Sequence, residues 1–354
     1  MRWFLFGAAA FTLSLHGMSH AEKPPLKEEV KEKTPPPFDA DLFRRNEQVT
    51  SAHAEVLYWT VNEGALDYAL KMRHSAWGPT ASYAQGTMKS GTFDWDPGFR
   101  VTLSYFRAPR FWEVRGGYTR LTCSGDNHTN KPTTDTKFIT GTWPQILTAP
   151  LASARSYLHM NYNVFDLNIN RFYNPNPHLR IRLLAGFITS WIDQYWKVRY
   201  TDSSLNNSII RNRWKFVGAG LKGGLMFDWY WGNNVYMTGL GSVGSLVGRY
   251  SNSSEQTTTV QPDPTDNTSV PIRDLHITNT RPAFTAQMSF GPSWQKNFEH
   301  QRIEVFFGYE LNVWANLNEI YHSTSGAPTQ TKETWINSSW TGLQGATFRI
   351  TADF

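Results

Sequence analysis

Charged side chains recur two residues apart along this chain, with a large apolar residue between them. In HLRIRLLAGF, Arg180 and Arg182 alternate with Leu179, Ile181, Leu183, Ala185 and Phe187. In QRIEVFFGYELNVW, Arg302, Glu304 and Glu310 alternate with Ile303, Val305, Phe307, Tyr309, Leu311 and Val313. GFRVTLSYF sets Arg100 against Phe99, Val101 and Leu103, and FWEVRGGYTRL sets Glu113 and Arg115 against Trp112, Val114 and Tyr118. Asp166, Lys222, Asp228 and Arg349 fall on the same kind of face in their own segments. A spacing of two puts side chains on one side of a β-strand. Seven cations and five carboxylates gathered inside a closed sheet would act through electrostatics. In a water-filled lumen they would set ion preference, with a mild bias towards anions. In a narrow lumen they would pair with one another and close it. Both readings stand at this point.

Other chemistries lack their residues. His, Ser and Asp are scattered without the spacing that brings a nucleophile to a base, so no catalytic residue is assigned. None of the ten His residues forms an i, i+4 pair beside a carboxylate, so no metal or cofactor is expected. Cys123 is the only cysteine, which excludes an intrachain disulfide, and nothing near it in sequence would activate its thiol. No basic stripe accompanies a nucleic-acid motif, so nucleic acid is dropped as a partner.

The elements that would position such a charged face are legible from composition. Aromatic residues make up 15% of the chain and charged residues only 18%. Past the N-terminus there is no run of roughly 20 apolar residues, the length a membrane-spanning helix needs. Many rings, few charges and no helical span together fit a transmembrane β-barrel. There, half of each strand faces lipid, half faces a polar lumen, and aromatic girdles mark both interfaces.

The N-terminal MRWFLFGAAAFTLSLHGMSHA has a charged start, an apolar core and the small-x-small ending Ser19-His20-Ala21. This reads as an export signal over 1–21, cleaved after Ala21. Residues 22–50, with five prolines among mixed charges, read as a solvated periplasmic linker. Residues 51–354 form the barrel.

Period-two alternation predicts an all-β, antiparallel, up-and-down barrel with strands near 53–72, 95–107, 110–121, 155–173, 178–200, 213–230, 234–250, 281–295, 301–320 and 340–354. That gives ten strands, with twelve as the alternative if 53–72 and 178–200 each hide a hairpin. Tight connections at 107–110, 174–177, 231–234 and 296–300 alternate with long polar ones at 73–94, 122–154, 201–212, 251–280 and 321–339. Short periplasmic turns opposite long outer loops are the pattern of an outer-membrane barrel. One loop portion, GTWPQILTAPLASA at 141–154, is apolar enough to fold inward as a constriction.

Three details refine the picture. In RSYLHMNYNVFDLNINRFY the apolar phase passes from Leu158, Met160, Tyr162 and Val164 to Phe165, Leu167 and Ile169, which calls for a β-bulge near Val164. Gly218, Gly220 and Gly224 share a face with Lys222 and Asp228, so the strand there either bends or leaves room for a group inside. The chain ends TFRITADF, with Phe348, Ile350 and Ala352 on a lipid face and Phe354 at the periplasmic interface.

LYWTVNEGALDYAL at 57–70, WDPGFRVTLSY at 95–105 and GLKGGLMFDWYWG at 220–232 resemble segments of the major-outer-membrane-protein-like family of Legionella and Chlamydia-related bacteria. The similarity covers most of 50–354. It implies an abundant surface-exposed barrel, porin-like and in places adhesive. Terminal aromatics such as Phe348 and Phe354, with Ile350, resemble the signal read by the outer-membrane assembly machinery. Chlamydial relatives are cysteine-rich and cross-linked; with Cys123 alone, this chain departs from that pattern. Expected partners are outer-membrane lipid, the assembly machinery, further copies of the chain and a host-surface partner for the long loops. The function expected first is a porin for ions and small hydrophilic solutes; second, a surface barrel or adhesin with a closed lumen.

Overall fold

The computed structural model describes residues 48–72, 86–107, 111–134, 137–143, 147, 149–259, 269–298, 301–323 and 334–354. The export signal through Ala21 and nearly all of the 22–50 linker lie outside the described residues. Ten strands form a closed antiparallel barrel. They are β1 (Gln48–Glu63), β4 (Asp96–Arg107), β5 (Trp112–Asn130), β7 (Leu151–Asn176), β8 (Leu179–Asp202), β9 (Asn207–Gly232), β10 (Val235–Thr259), β11 (Ser269–Asn297), β12 (Arg302–Ser323) and β13 (Thr334–Asp353). Three short strands, β2 (Asp67–Met72), β3 (Gly86–Ser90) and β6 (Phe138–Gly141), form a separate sheet in the order β3-β2-β6. The barrel therefore has ten strands, and 178–200 hides no hairpin. The expected first strand does break: β1 ends at Glu63, and 67–72 joins the small sheet.

Closure is between β13 and β1, register Ser51 to Asp353 through Glu63 to Thr341. Closure leaves the barrel sheet without an open edge, as a chain crossing lipid requires. Beyond the last paired residue, the Phe354 amide donates to the Thr50 carbonyl (2.9 Å) and the Thr50 amide donates back (3.1 Å). The C-terminal residue is thus tied into the barrel seam.

The turns at the terminal end are local-sequence products. Asn233 and Asn234 both adopt positive φ (52° and 63°) between β9 and β10. That is the type I′ geometry whose twist matches paired strands, and asparagine tolerates it better than bulkier residues. Between β7 and β8, the Asn176 side chain accepts the His178 amide at 2.9 Å, an Asx-type turn across Pro177.

At the opposite end the expected loops are shorter than their polarity suggests. The 201–212 loop reduces to residues 203–206. There Asp202 Oδ1 accepts the amides of Ser204 (2.8 Å) and Asn206 (2.9 Å). Much of the 122–154 and 251–280 stretches is strand, and β12 and β13 reach into 321–339 as far as Ser323 and from Thr334. β7 to β12 run 22 to 29 residues, whereas crossing a membrane takes roughly 9–11. More than half of the barrel therefore stands outside the bilayer, and sequence reading took its hydrated wall for loop.

The same fact removes the expected bulge at Val164. β7 pairs with β5 and β8 in unbroken register through that point. Leu158, Met160, Tyr162 and Val164 point into the barrel, while Phe165, Leu167 and Ile169 point out to lipid. The apolar phase flips because the surroundings change along the strand, from lipid outside to an apolar filling inside. A register break does occur in β12, between Trp314 and Asn318, where Asn316 takes φ 64°. On β9, a Cβ at Gly220 would come within 1.9 Å of the Ser245 carbonyl oxygen, and one at Gly224 within 2.3 Å of the Gly241 oxygen. These glycines admit close backbone approach from β10 and form no ligand groove.

Outward-facing rings bracket the lipid band. Trp112, Tyr173, Trp229, Trp231, Trp294 and Phe354 sit near the turn end; Tyr58, Trp95, Trp191 and Trp340 sit some ten residues further along. Tyr58 and Trp95 stack at 5.6 Å between ring centroids.

Candidate functional site: the charged lumen

All twelve charged residues expected to face the lumen do so. Glu113, Arg180, Asp228, Glu304 and Glu310 are buried, and each of the twelve lines one of two adjoining interior cavities. Alternation delivers this result because successive strand residues have opposite faces, and the outward set in the lipid band is mostly apolar.

Near the turn end, Arg302 pairs with Asp353 and lies 3.5 Å from Glu304, which also accepts from Arg349 at 3.0 Å. Arg182 holds Asp228 through both carboxylate oxygens, at 2.9 and 2.8 Å, and Thr238 Oγ1 donates to the same group at 3.1 Å. The Arg180 and Arg182 guanidiniums lie 5.4 and 5.7 Å from the Phe172 ring centroid. Glu113 accepts from Asn170 at 2.7 Å.

Half-way along the lumen, Arg100 bridges Glu55 (2.7 Å) and Glu310 (2.8 Å). Gln287 donates to Glu310 (2.7 Å) and accepts from Lys222 (2.8 Å). Arg115 and Lys222 make no ion pair among the described residues, and Asp166 is bonded only by the Asn168 amide.

Sequence reading missed Glu55, Asp353, His53 and Gln287. Glu55 is the cross-strand neighbour of both Arg100 and Arg349, and His53 Nδ1 lies 2.7 Å from Thr351 Oγ1. The signal was present in SAHAEV, where Ser51, His53 and Glu55 share a face, but the first strand's inner face was not read. With Glu55 and Asp353 added, the seven cations meet seven carboxylates.

Three small cavities of about 60, 30 and 20 Å³ follow one another along the lumen. The lower shares Arg115 and Arg349 with the central one, and the upper shares Arg100, Asp166 and Lys222 with it. Since a water needs roughly 10–15 Å³, the central cavity has room for a few waters and the others for one or two. The central walls carry Arg100, Arg115, Lys222 and Arg349 against Glu55, Asp166 and Glu310.

Above Arg100 the lumen becomes apolar. The Arg100 guanidinium sits 5.5 Å from the Trp59 ring, and Trp59 begins a continuous core containing Tyr162, Trp196, Trp214, Trp314 and Phe216. Leu66, Tyr68 and Ala69 from the β2 region, Ile139 from β6, and Trp143 enter the same core. Trp143 meets Trp196 edge-on at 5.9 Å, and Leu147 packs on the cluster. Of the apolar 141–154 segment, the described residues Trp143 and Leu147 thus do pack inward, as part of a cap. Tyr200 Oη donates to the Tyr68 carbonyl (2.5 Å), and Thr142 Oγ1 to that of Asp67 (2.6 Å), pinning the cap to the wall. Cys123 is buried there, its thiol pushed up to about 12 by burial, with Asp96 adding to the rise.

No curated protein sequence matches the chain. Among solved structures, it is similar to the outer membrane protease OmpT of Escherichia coli (10% identity, TM-score 0.40, covering 86% of this chain and 96% of that one). It is also similar to the Pseudomonas putida toluene transporter TodX (9%, TM-score 0.28, 89% and 92%) and to a Pseudomonas aeruginosa FadL homologue (6%, TM-score 0.22, 87% and 90%). These likenesses are too distant to carry any argument about what this chain does. The family comparison is of another order, because it spans residues 46–352 and so nearly the whole barrel. This closed ten-stranded barrel is an outer-membrane protein, and the chain belongs to the family described as the Legionella pneumophila major outer membrane protein precursor.

Proposed function

We propose that the protein is a porin-like outer-membrane barrel that passes small hydrophilic solutes and ions through a narrow, charge-lined lumen. The observation that carries this reading is the division of the interior. Filling a lumen takes only apolar side chains, and the capped half uses them. Burying many charges instead costs several kcal/mol per ion before pairing repays it. Charges at bilayer depth, with water-sized cavities between them, fit a path for hydrated solutes better than a packing device. Arg115 and Lys222, held by no carboxylate, tilt the central cavity towards anions. The test is single-channel recording of the refolded barrel in planar bilayers. Small, anion-favouring events are expected; their absence at every voltage would defeat the reading.

The apolar cap favours a second reading, a surface barrel closed at rest whose long outer wall meets a partner. In that case conductance is absent until the 64–72 and 137–147 region is displaced. Catalysis has no support in either reading.

A further inference from the structure

Beyond the outer girdle, the external wall changes chemistry abruptly on β8 and β9. Following Trp191, the outward positions of β8 are Asp193, Tyr195, Lys197 and Arg199; running up β9 from Val217 they are Lys215, Arg213 and Arg211. The register puts Lys197 directly opposite Arg211, and Tyr195 opposite Arg213. Like charges directly opposite on adjacent strands repel and destabilise a sheet. On the next strand Arg155 stands opposite Arg199. Lys197, Arg199, Arg211, Arg213 and Lys215 make no ion pair among the described residues, whereas Arg155 is satisfied by Asp126. The acidic groups facing this wall are Asp193, opposite Lys215, and Glu255, opposite Arg211, and neither closes an ion pair. Burial first, and then the neighbouring Arg199, Arg211 and Arg155, lower the Lys197 ammonium below its usual range.

Height identifies what such a cluster meets. Each second residue advances about 6–7 Å along a strand, and barrel strands tilt by roughly 35–45°. Lys215 therefore lies one step, and Arg211 three steps, beyond the last apolar outward residue, Val217. Arg199 lies four steps beyond Trp191, which stands opposite Val217. That places the cations from roughly 5 to 20 Å above the hydrocarbon, from the headgroup zone outward. Arginine forks bind phosphate oxygens in pairs, and a flat wall of them suits an anion presented sideways by a neighbouring lipid.

We propose that this outer wall of β8 and β9 is a docking site for phosphorylated lipid headgroups of the outer leaflet. The bound phosphates neutralise a repulsion that the sheet otherwise carries, so lipid binding and barrel stability are linked. The site is on the outside and is independent of whether the lumen conducts.

The experiment uses the full barrel refolded in dodecylmaltoside and native mass spectrometry. The probes are bis-phosphorylated lipid A, the same lipid stripped of phosphate, inorganic phosphate, and a heparin fragment. The wild type is expected to bind the bis-phosphorylated lipid at least tenfold more tightly than the stripped one. Inorganic phosphate at millimolar level should leave that binding in place. The variant combining Lys197→Gln, Arg199→Gln, Arg211→Gln, Arg213→Gln and Lys215→Gln should lose the difference; K197Q/R211Q, which removes only the facing pair, should lose part of it. Folding of each variant is followed by heat-modifiable migration on gels. Equal binding of both lipids by the wild type overturns the proposal, and so does undiminished binding by the folded variants. Preference for heparin over lipid would assign the wall to an external polyanion instead and would equally overturn it.

Discussion

Arg100 and Glu310, 210 residues apart in sequence, face each other across the lumen through two parallel hydrogen bonds of 3.0 and 2.8 Å. Arg100 simultaneously holds Glu55 at 2.7 Å, so a single guanidinium pairs with two carboxylates from different strands. Arg100→Gln would leave both acids buried and facing one another. Breaking such a pair from one side costs about 3–5 kcal/mol. A lowered unfolding transition is expected by heat-modifiable migration, partly regained in R100Q/E310Q; additive losses in the double variant would show the two residues to be uncoupled.

Ion selectivity isolates the cations that no carboxylate holds. Arg115→Glu and Lys222→Glu should each shift the reversal potential in a salt gradient towards cations. The paired Arg182→Gln should shift it less. Selectivity unchanged in both glutamate variants would mean that ions bypass the central cavity.

Trp143 is the cap's keystone, buried against Trp196 and covered by the Arg273 guanidinium at 5.1 Å. Truncating a buried tryptophan costs about 3–5 kcal/mol. Trp143→Ala should therefore loosen the cap, raising single-channel conductance and opening residues 137–147 to added protease. A variant with unaltered conductance and protection would remove the cap from the gating path.

Glu63, on the extracellular side of the Tyr58–Trp95 pair, gives the barrel's stability a pH dependence. Burial raises its carboxyl to about 8, against the opposing hydrogen bonds from Gln194 and Thr341. An unfolded glutamate titrates near about 4.3. Full stabilisation is thus present below that value and falls as pH rises to about 8, because the unfolded chain sheds the proton first. One group contributes at most about 1.4 kcal/mol per pH unit. Unfolding midpoints should decline across this window in the wild type and flatten in Glu63→Gln; identical slopes would exclude Glu63 as the source.

At the seam, Phe354 exchanges two backbone hydrogen bonds with Thr50 and presents an exposed ring to the periplasmic girdle. Removing Phe354 should reduce the fraction of newly made protein reaching the heat-modifiable, membrane-inserted form. Normal insertion without it would separate the terminal aromatic from assembly.

Period-two alternation determined the inward face of the twelve charged residues and the lipid face of Phe348 and Ile350; read with the aromatic-rich composition and the alternation of tight and long connections it pointed to a barrel of ten strands or twelve, and closure decided for ten. These are local consequences: a strand's neighbours in sequence alternate sides wherever the strand sits. The residues near Val164 show where that logic stops. The sequence records that an apolar face changes sides, but a bulge and a change of surroundings write the same pattern. Only the closed barrel distinguished them, by standing far enough out of the bilayer for its outer wall to be wet and its inside to be dry. The partners of Arg100, the missed role of Glu55 and the capping by residues 66–69 and 143 were likewise decided by tertiary structure. Ion pairing and core packing depend on which strands meet across the lumen, and that follows from closure and shear, which no local stretch of sequence carries.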